Sequence, residues 1–338
     1  MQTQLEKNLY NPYFSHIYVE DNALNYPNTE KILSHFKSSK IININHYKDL
    51  FCRNHQNFHE EKNSPSLVLA VKKDKLIYKG SSMCDDFGNN NFYYTSSMMN
   101  CIYNCEYCYL QGMYPSAHIV IFVNIDDIFK EVEKKLKKSS IYLCVSYDTD
   151  ILALEQILGY GFKWLSFAKS HTNLKLELRT KSTGFNYINN FKPLDNVILA
   201  WTLSPEPICS KYEHGTPTLK NRLTSIKRAI NMGWKIRLCF DPLLYINNYE
   251  EIYVNFLKEV FKEIPSYSIC DVSIGVFRVS KDYMKIMRKV NPESILLNFP
   301  FETNMGTCSY STEITNSLIS CVYNEVKKYI PEEKIYAL

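Results

Sequence analysis

The sequence predicts an α/β protein: a partial (β/α)6 barrel preceded by a small N-terminal α/β domain. Three observations lead there. From residue 91 onward, apolar runs of strand length alternate with amphipathic stretches of helix length, the pattern of a parallel sheet with right-handed crossovers. Six such strands, counted without the run at 118–123, are too few for a closed eight-stranded barrel. A polar stretch at 85–91, holding Gly88 and a run of asparagines, separates this rhythm from what precedes it. The expected division is therefore 1–88 for the small domain and 89–338 for the barrel, with its C-terminal hairpin or loop and helix.

Within the small domain, 17–19 reads as a short strand and 28–36 as a helix opened by Asn28-Thr29-Glu30. A second strand follows at 40–44. The polar stretch 53–65 reads as loop, and 66–71 as an apolar strand with 76–78 after it. The barrel opens with a strand at 92–97 and another at 118–123. An amphipathic helix with a lysine-rich face covers 126–138. Then come a strand at 141–147, one helix or two at 152–171, and strands at 174–180 and 197–203. A helix at 218–232, a strand at 236–240, a helix at 250–263 and a strand at 272–279 complete the pattern. Ser280 is placed to cap a helix over 281–289, with Asp282 in its first turn. Lys281, Lys285, Arg288 and Lys289 would share one exposed face of it. Residues 300–310, with Gly306, read as hairpin or loop, and Ser311-Thr312-Glu313 starts a last amphipathic helix to 329.

Composition sets bounds. The 338 residues give ample core, 26 tyrosines stand out, and the net charge of +4 neither demands nor excludes a DNA partner. The polar start at 1–14 is no secretory signal, and no apolar run has the length of a membrane span. Eleven cysteines, scattered apart from one tight group, suit the reducing cytoplasm rather than a disulfide framework.

That group is Cys101-Ile102-Tyr103-Asn104-Cys105-Glu106-Tyr107-Cys108, a C-x3-C-x2-C motif with a tyrosine on either side of its last cysteine. Iron–sulfur clusters take thiolate ligands. Three thiolates on one short loop hold three irons of a [4Fe–4S] cube and leave the fourth free for a substrate that chelates through an amino and a carboxylate group. This is the signature of radical S-adenosyl-L-methionine (SAM) chemistry. A structural zinc site would want a fourth ligand, and His118, ten residues on, is not at ligand spacing. Buried or zinc-binding cysteines are the bland alternative.

Catalytic groups on such a scaffold sit at the carboxyl ends of the strands, where the cysteine loop itself would lie. Polar groups close those ends: Cys144 with Ser146 and 147–150, Arg179-Thr180-Lys181-Ser182, Thr202-Leu203-Ser204-Pro205-Glu206, and Asp241-Pro242. Each alone is an ordinary polar loop. Together they bring a thiol, hydroxyls, carboxylates and a lysine to the cluster side of the sheet.

From about residue 92 to the C-terminus the chain resembles the spore photoproduct lyase family, radical SAM enzymes that repair the spore-type thymine dimer in DNA. The residues that carry the resemblance are Cys105-Glu106-Tyr107-Cys108-Tyr109-Leu110-Gln111, then Val123-Asn124-Ile125-Asp126-Asp127-Ile128. Cys144 with Ser146, Thr180-Lys181, and Glu213-His214-Gly215-Thr216 before Arg222-Leu223 add to it, as does the position of the C-terminal hairpin. The resemblance implies that Cys101, Cys105 and Cys108 hold the cluster and that Ser146, Lys181 and Ser204 contact SAM. Cys144 would be the hydrogen-atom donor, with Tyr107 and Tyr109 relaying the radical. It implies damaged DNA as partner and an electron donor such as flavodoxin or ferredoxin.

The chemistry suits those roles. A 5′-deoxyadenosyl radical takes hydrogen from C6 of the dimer, the methylene bridge breaks, and the thymine radical left behind accepts hydrogen from a weak S–H bond. A buried thiol and packed tyrosines are the plain readings of Cys144, Tyr107 and Tyr109. The lesion must leave the base stack to be reached, and phosphate contacts are expected from Lys285, Arg288 and Lys289, or from Lys220, Lys227 and Arg228. Solvated helix faces are the plain alternative for these cations. Two departures from the family keep other readings open: the 302–310 stretch is poor in positive charge, and residues 147–150 are additional. A radical SAM paralogue acting on another DNA lesion or another substrate, and a non-catalytic Fe–S DNA-binding protein, are the alternatives.

Overall fold

Central strands rich in Val, Ile and Leu, among them Ile141–Cys144 and Val197–Thr202 buried along their length, build a half-barrel in the computed structural model, which describes residues 14–81 and 84–337. The sheet has eight strands. Their spatial order is Ile335–Ala337, Ile269–Val276, Ile236–Leu243, Val197–Thr202, Leu174–Thr180, Ile141–Cys144, Phe92–Tyr94 and Tyr78–Lys79. All neighbours are parallel except the last pair. The strands expected from the sequence stand consecutively in the middle. A C-terminal strand and a short antiparallel one extend the two edges.

The second sheet has five strands: Lys40–Ile44, His16–Glu20, Leu67–Ala70, Ile119–Phe122 and Met98–Met99. The first four are parallel and Met98–Met99 is antiparallel. The run left out of the barrel count therefore lies here, as Ile119–Phe122. This sheet takes strands from both sides of residue 88, while Tyr78–Lys79 joins the half-barrel. One apolar core runs through both, from Ile17 and Leu69 to Leu199 and Ile274.

Several expectations need correcting. The stretch 53–65 is not all loop: Phe58–Asn63 is a helix, capped by the Asn57 side chain, which accepts from the backbone N–H groups of His59 and Glu60. A further short helix, Lys48–Phe51, precedes it. The helix expected over 28–36 is Pro27–Leu33. Pro27 starts it, as proline can where the N–H is unused, so Asn28 and Thr29 do not cap. They tie the helix down, Asn28 Nδ2 donating to Val123 O at 2.6 Å and Thr29 Oγ1 to Ala23 O at 2.6 Å. The 152–171 segment, expected as one helix or two, does hold two α-helices, Glu155–Leu158 and Tyr160–Lys169, divided at Gly159 with φ +65°. Glu206–Tyr212 is a helix with no counterpart in the sequence reading. The 272–279 run is two strands, Ile269–Val276 and Arg278–Ser280.

Arg278–Ser280 forms a three-stranded antiparallel sheet with the hairpin Thr307–Ser309 and Glu302–Asn304. Met305 and Gly306 turn this hairpin with φ of 47° and 81°, the positive values a tight hairpin turn requires. Ser280 caps Lys281–Val290 and Ser311 caps Thr312–Val326, each accepting from a backbone N–H at 3.3 Å. Lys281, Lys285 and Lys289 are exposed, but Arg288 leaves that face to donate to Leu297 O at 2.7 Å and Phe299 O at 3.0 Å. The polar start up to residue 13 lies outside the described residues. Among those described, no helix is long and apolar enough to cross a membrane.

Leu110–Met113, the short helix after the last cysteine, packs directly on Lys281–Val290. A Cβ on Gly112 would come within 2.5 Å of Tyr283 Cβ and 2.6 Å of its Cα and carbonyl oxygen. Backbone cannot give way cheaply there, so Gly112→Ala is expected to cost about 1–3 kcal/mol. Thermal melting would show it as a lowered Tm, and an unchanged Tm would contradict this packing.

Candidate active site at the cysteine loop

The cysteine loop has little regular structure of its own, so tertiary bonds fix it. Asn100, buried with φ 66°, donates from Nδ2 to Ser116 O at 2.7 Å and His118 O at 2.8 Å, closing the loop at its base. Asn104–Cys105 pairs antiparallel with Glu213–His214. The Glu106 carboxylate accepts from Ser294 Oγ at 2.7 Å and meets His214 Nε2 at 3.1 Å. Gln111 Nε2 donates to Cys105 O at 2.7 Å, and Asn291 in turn donates to Gln111 Oε1.

Cys101, Cys105 and Cys108 line one recess, together with Lys62, Asn100 and Tyr103. Burial pushes the thiols of Cys101 and Cys105 up to about 12 and that of Cys108 in the same direction. Asn100 Oδ1 is buried there without a hydrogen-bond partner. Among the described residues no three His, Cys, Asp or Glu side chains gather on a single ion. A [4Fe–4S] cube, with one thiolate per iron, asks for thiols that share a recess without converging. Lys62, on the helix the sequence did not reveal, reaches in from the other side. It is 8% exposed, and its ammonium donates to the carbonyl of Cys101. Burial pulls its pKa down, and Cys101, Cys108 and Cys105, which carry negative charge when ionised, act against that.

Glu213 joins the loop to the strand ends. It is 2% exposed and gathers three of the residues singled out by sequence. Tyr107 Oη donates to it, Ser204 Oγ donates to it at 3.0 Å, and Lys181 Nζ stands 3.7 Å away while donating to Tyr107 Oη at 2.8 Å. Lys181 Nζ is also 3.9 Å from Cys105 Sγ. The fully buried Arg222 donates to the other carboxylate oxygen, and braces itself on Thr216 Oγ1 at 2.7 Å and Thr202 O at 3.2 Å. Burial alone would raise the Glu213 carboxyl; Lys181, Arg222 and the Tyr107 hydroxyl outweigh it and hold it at about 2. Glu213 and Arg222 lie within the matched segments of the sequence, but their shared role shows only when the fold closes.

Cys144 ends its strand at 7% exposure, in register with Glu177 on one side and Tyr94 on the other. Its Sγ is 3.9 Å from Glu177 Oε1. Burial, then the Glu177 carboxylate, raise the Cys144 pKa well above the usual thiol value, so it stays S–H. Glu177 is itself held ionised. Burial would raise it, but Arg179 at 2.9 Å, Arg237 and the Tyr142 hydroxyl bring it to about 2. Arg237, fully buried, spans the barrel interior: it donates to Glu177, to Tyr142 Oη at 2.6 Å and to Asp271 Oδ2 at 2.8 Å, with Phe87 stacked 3.3 Å from its guanidinium carbon.

The two tyrosines of the motif part company. Tyr107 belongs to the Glu213 group, whereas Tyr109 Oη donates to Tyr147 O at 2.6 Å, and the Tyr147 ring stacks on Tyr94 with centroids 4.1 Å apart. Ser146 Oγ is buried without a hydrogen-bond partner. Of the second set of cations, Lys227 is paired with Glu263, Arg228 donates to Asn186 at 2.6 Å, and Lys220 is exposed.

A family model described as spore photoproduct lyase matches residues 11–335. A spore photoproduct lyase of Clostridium acetobutylicum is 24% identical over 261 residues, 73% of each chain. One from a Geobacillus species is 20% identical over 202 residues, 58% of this chain; the chain spans 59% of that relative's length. A solved double mutant of spore photoproduct lyase, with bound AdoMet and dinucleoside spore photoproduct, has the same fold at 17% identity, with a TM-score of 0.80 over 97% of this chain and 99% of that one.

The depressed carboxyls of Glu213 and Glu177 give stability that is complete above about 4.5 and lost as pH falls through about 2. Glu213→Gln leaves Lys181 and Arg222 uncompensated and should cost on the order of 3–5 kcal/mol at pH 7. Melting curves from pH 7 to pH 2 should show the gap between parent and variant closing with acid. A gap that persists at pH 2 would contradict an ionised Glu213.

Proposed function

The chain belongs to the spore photoproduct lyase family, and from that premise we propose that it repairs the spore photoproduct, cleaving the methylene bridge that joins two thymines in DNA. The observation that carries the reading is one recess lined by Cys101, Cys105 and Cys108, with Lys181, the residue just past the strand Leu174–Thr180, 3.9 Å from Cys105 Sγ. We likewise read that half-barrel as a partial (β/α)6 barrel, with 1–88 as its N-terminal unit.

The donor set fits the expected cofactors. Three thiols would hold a [4Fe–4S] cluster, and the unpartnered Ser146 hydroxyl, with Lys181 and Ser204, would hold SAM. Bound together, these cofactors supply a reductive cleavage of SAM that yields a 5′-deoxyadenosyl radical able to take hydrogen from C6 of the dimer. The protein's own groups do the rest. Glu213 keeps Lys181, Ser204 and Tyr107 in one place before any ligand arrives, so little order is left to impose on binding. Cys144 gives a hydrogen atom to the thymine radical: its S–H bond breaks and a C–H bond forms. Only the protonated thiol can do this, which is the state burial and Glu177 favour. Tyr109 and Tyr107 would return a hydrogen atom to the thiyl, breaking O–H and forming S–H, and the phenoxyl radical left would regain hydrogen from 5′-deoxyadenosine, whose C–H bond breaks as O–H reforms.

DNA phosphates would lie along Lys281, Lys285 and Lys289, next to the hairpin whose tip exposes Met305 completely. An electron donor such as flavodoxin or ferredoxin, and a cytoplasmic setting, complete the proposal. A second reading, another lesion or another substrate, is favoured by one observation: the hairpin Glu302–Asn304 and Thr307–Ser309 carries no lysine or arginine.

The test is an anaerobic assay of reconstituted protein with dithionite, SAM and DNA carrying the spore photoproduct, counting both 5′-deoxyadenosine and repaired thymines. Repair that disappears in Cys101→Ala is expected. Cys144→Ala should still form 5′-deoxyadenosine while its thymine products change. Abundant 5′-deoxyadenosine without repair would move the search to another substrate. Neither product, from protein holding its cluster, would favour a non-catalytic protein. For the lysine face, Lys285→Ala and Lys289→Ala should each weaken DNA binding and reduce the salt dependence by about one phosphate contact. An unchanged slope in a binding titration would contradict that placement.

A further inference from the structure

The helix Phe58–Asn63 carries a cation into the cysteine recess that no step of the repair chemistry uses. Its own packing puts Lys62 there: Asn57 caps the first turn and Phe58 is 6% exposed in the interior. Glu61, the nearest acid in sequence, is engaged elsewhere, accepting from Ser116 Oγ at 2.6 Å and Ala117 N at 2.8 Å. Lys62 Nζ donates to the carbonyl of Cys101, and Lys62 lines the same recess as Cys101, Cys105 and Cys108. The other cation near the loop differs. Lys181 has a carboxylate neighbour, Glu213 at 3.7 Å.

A buried ammonium without a carboxylate is costly unless something anionic shares its cavity. Three thiolates on a [4Fe–4S] core leave the assembly negatively charged, and reduction adds one more negative charge. Cluster potentials follow net charge and local hydrogen bonding. A cation fixed in the same water-poor recess therefore favours the reduced cluster more than the oxidised one.

We propose that Lys62 is the electrostatic partner of the iron–sulfur cluster, its ammonium held by the Cys101 carbonyl so as to offset the cluster's charge and raise its reduction potential. This rests on the reading of Cys101, Cys105 and Cys108 as cluster ligands.

The test compares the unaltered full chain with Lys62→Met, Lys62→Gln and Lys62→Arg, each reconstituted anaerobically without SAM. Iron per chain and the midpoint potential, followed by the EPR signal of the reduced cluster, are the two readouts. Lys62→Met is expected to hold its iron with a more negative midpoint, and Lys62→Arg to return toward the parent value. Loss of iron in Lys62→Met and Lys62→Gln, restored by Lys62→Arg, would also support a charge role. An unchanged midpoint in iron-loaded Lys62→Met would overturn the proposal. So would loss of iron in all three variants, which marks packing rather than charge. No iron in the unaltered chain would overturn the cluster reading itself, and this inference with it.

Discussion

A carboxylate shut off from water holds the candidate site together. Glu213 has no solvent to lean on, so its charge must be met by protein, and the groups that meet it come from separate parts of the chain. Tyr107 comes from the cysteine loop, Lys181 and Ser204 from beyond two strand ends, and Arg222 from a helix. None of these segments could shift alone without leaving buried charge unpaired. The cysteine loop, which has almost no ladder of its own, thus borrows rigidity from the half-barrel through one acid. Its backbone pairing with Glu213–His214 sets the same register a second time.

A comparable arrangement underlies Cys144. Arg237 lies wholly inside the barrel and bonds to Glu177, Tyr142 and Asp271, residues of three other strands. A half-barrel has an open side and cannot fill its interior with apolar layers from all round. Here an ion network occupies that space instead and fixes the carboxylate beside the Cys144 thiol. Structure and chemistry share one requirement at this point: the charge that braces the strands also keeps the thiol protonated.

Much of this was legible in the sequence because it is local. Alternating apolar runs mark the central strands, a serine before a charged helix marks both Ser280 and Ser311 as caps, and the cysteine spacing marks the cluster loop. The helix Phe58–Asn63 escaped because only Phe58 is apolar in it, so no helical period shows, and its cap is a single asparagine. Lys62 was hidden with it. Arg288 carried the right charge at the right spacing, yet the backbone carbonyls of 297 and 299 draw it off the exposed face. The bond between Tyr107 and Glu213 joins residues 106 positions apart, which no pattern within a window can register.

The central claim is that three cysteines hold a [4Fe–4S] cluster with one iron left for SAM. EPR of the anaerobically reconstituted, reduced chain, recorded before and after SAM is added, tests it most directly. The account predicts about four irons per chain and a reduced-cluster signal whose g values change on adding SAM. One zinc per chain, or a cluster signal indifferent to SAM, would contradict it.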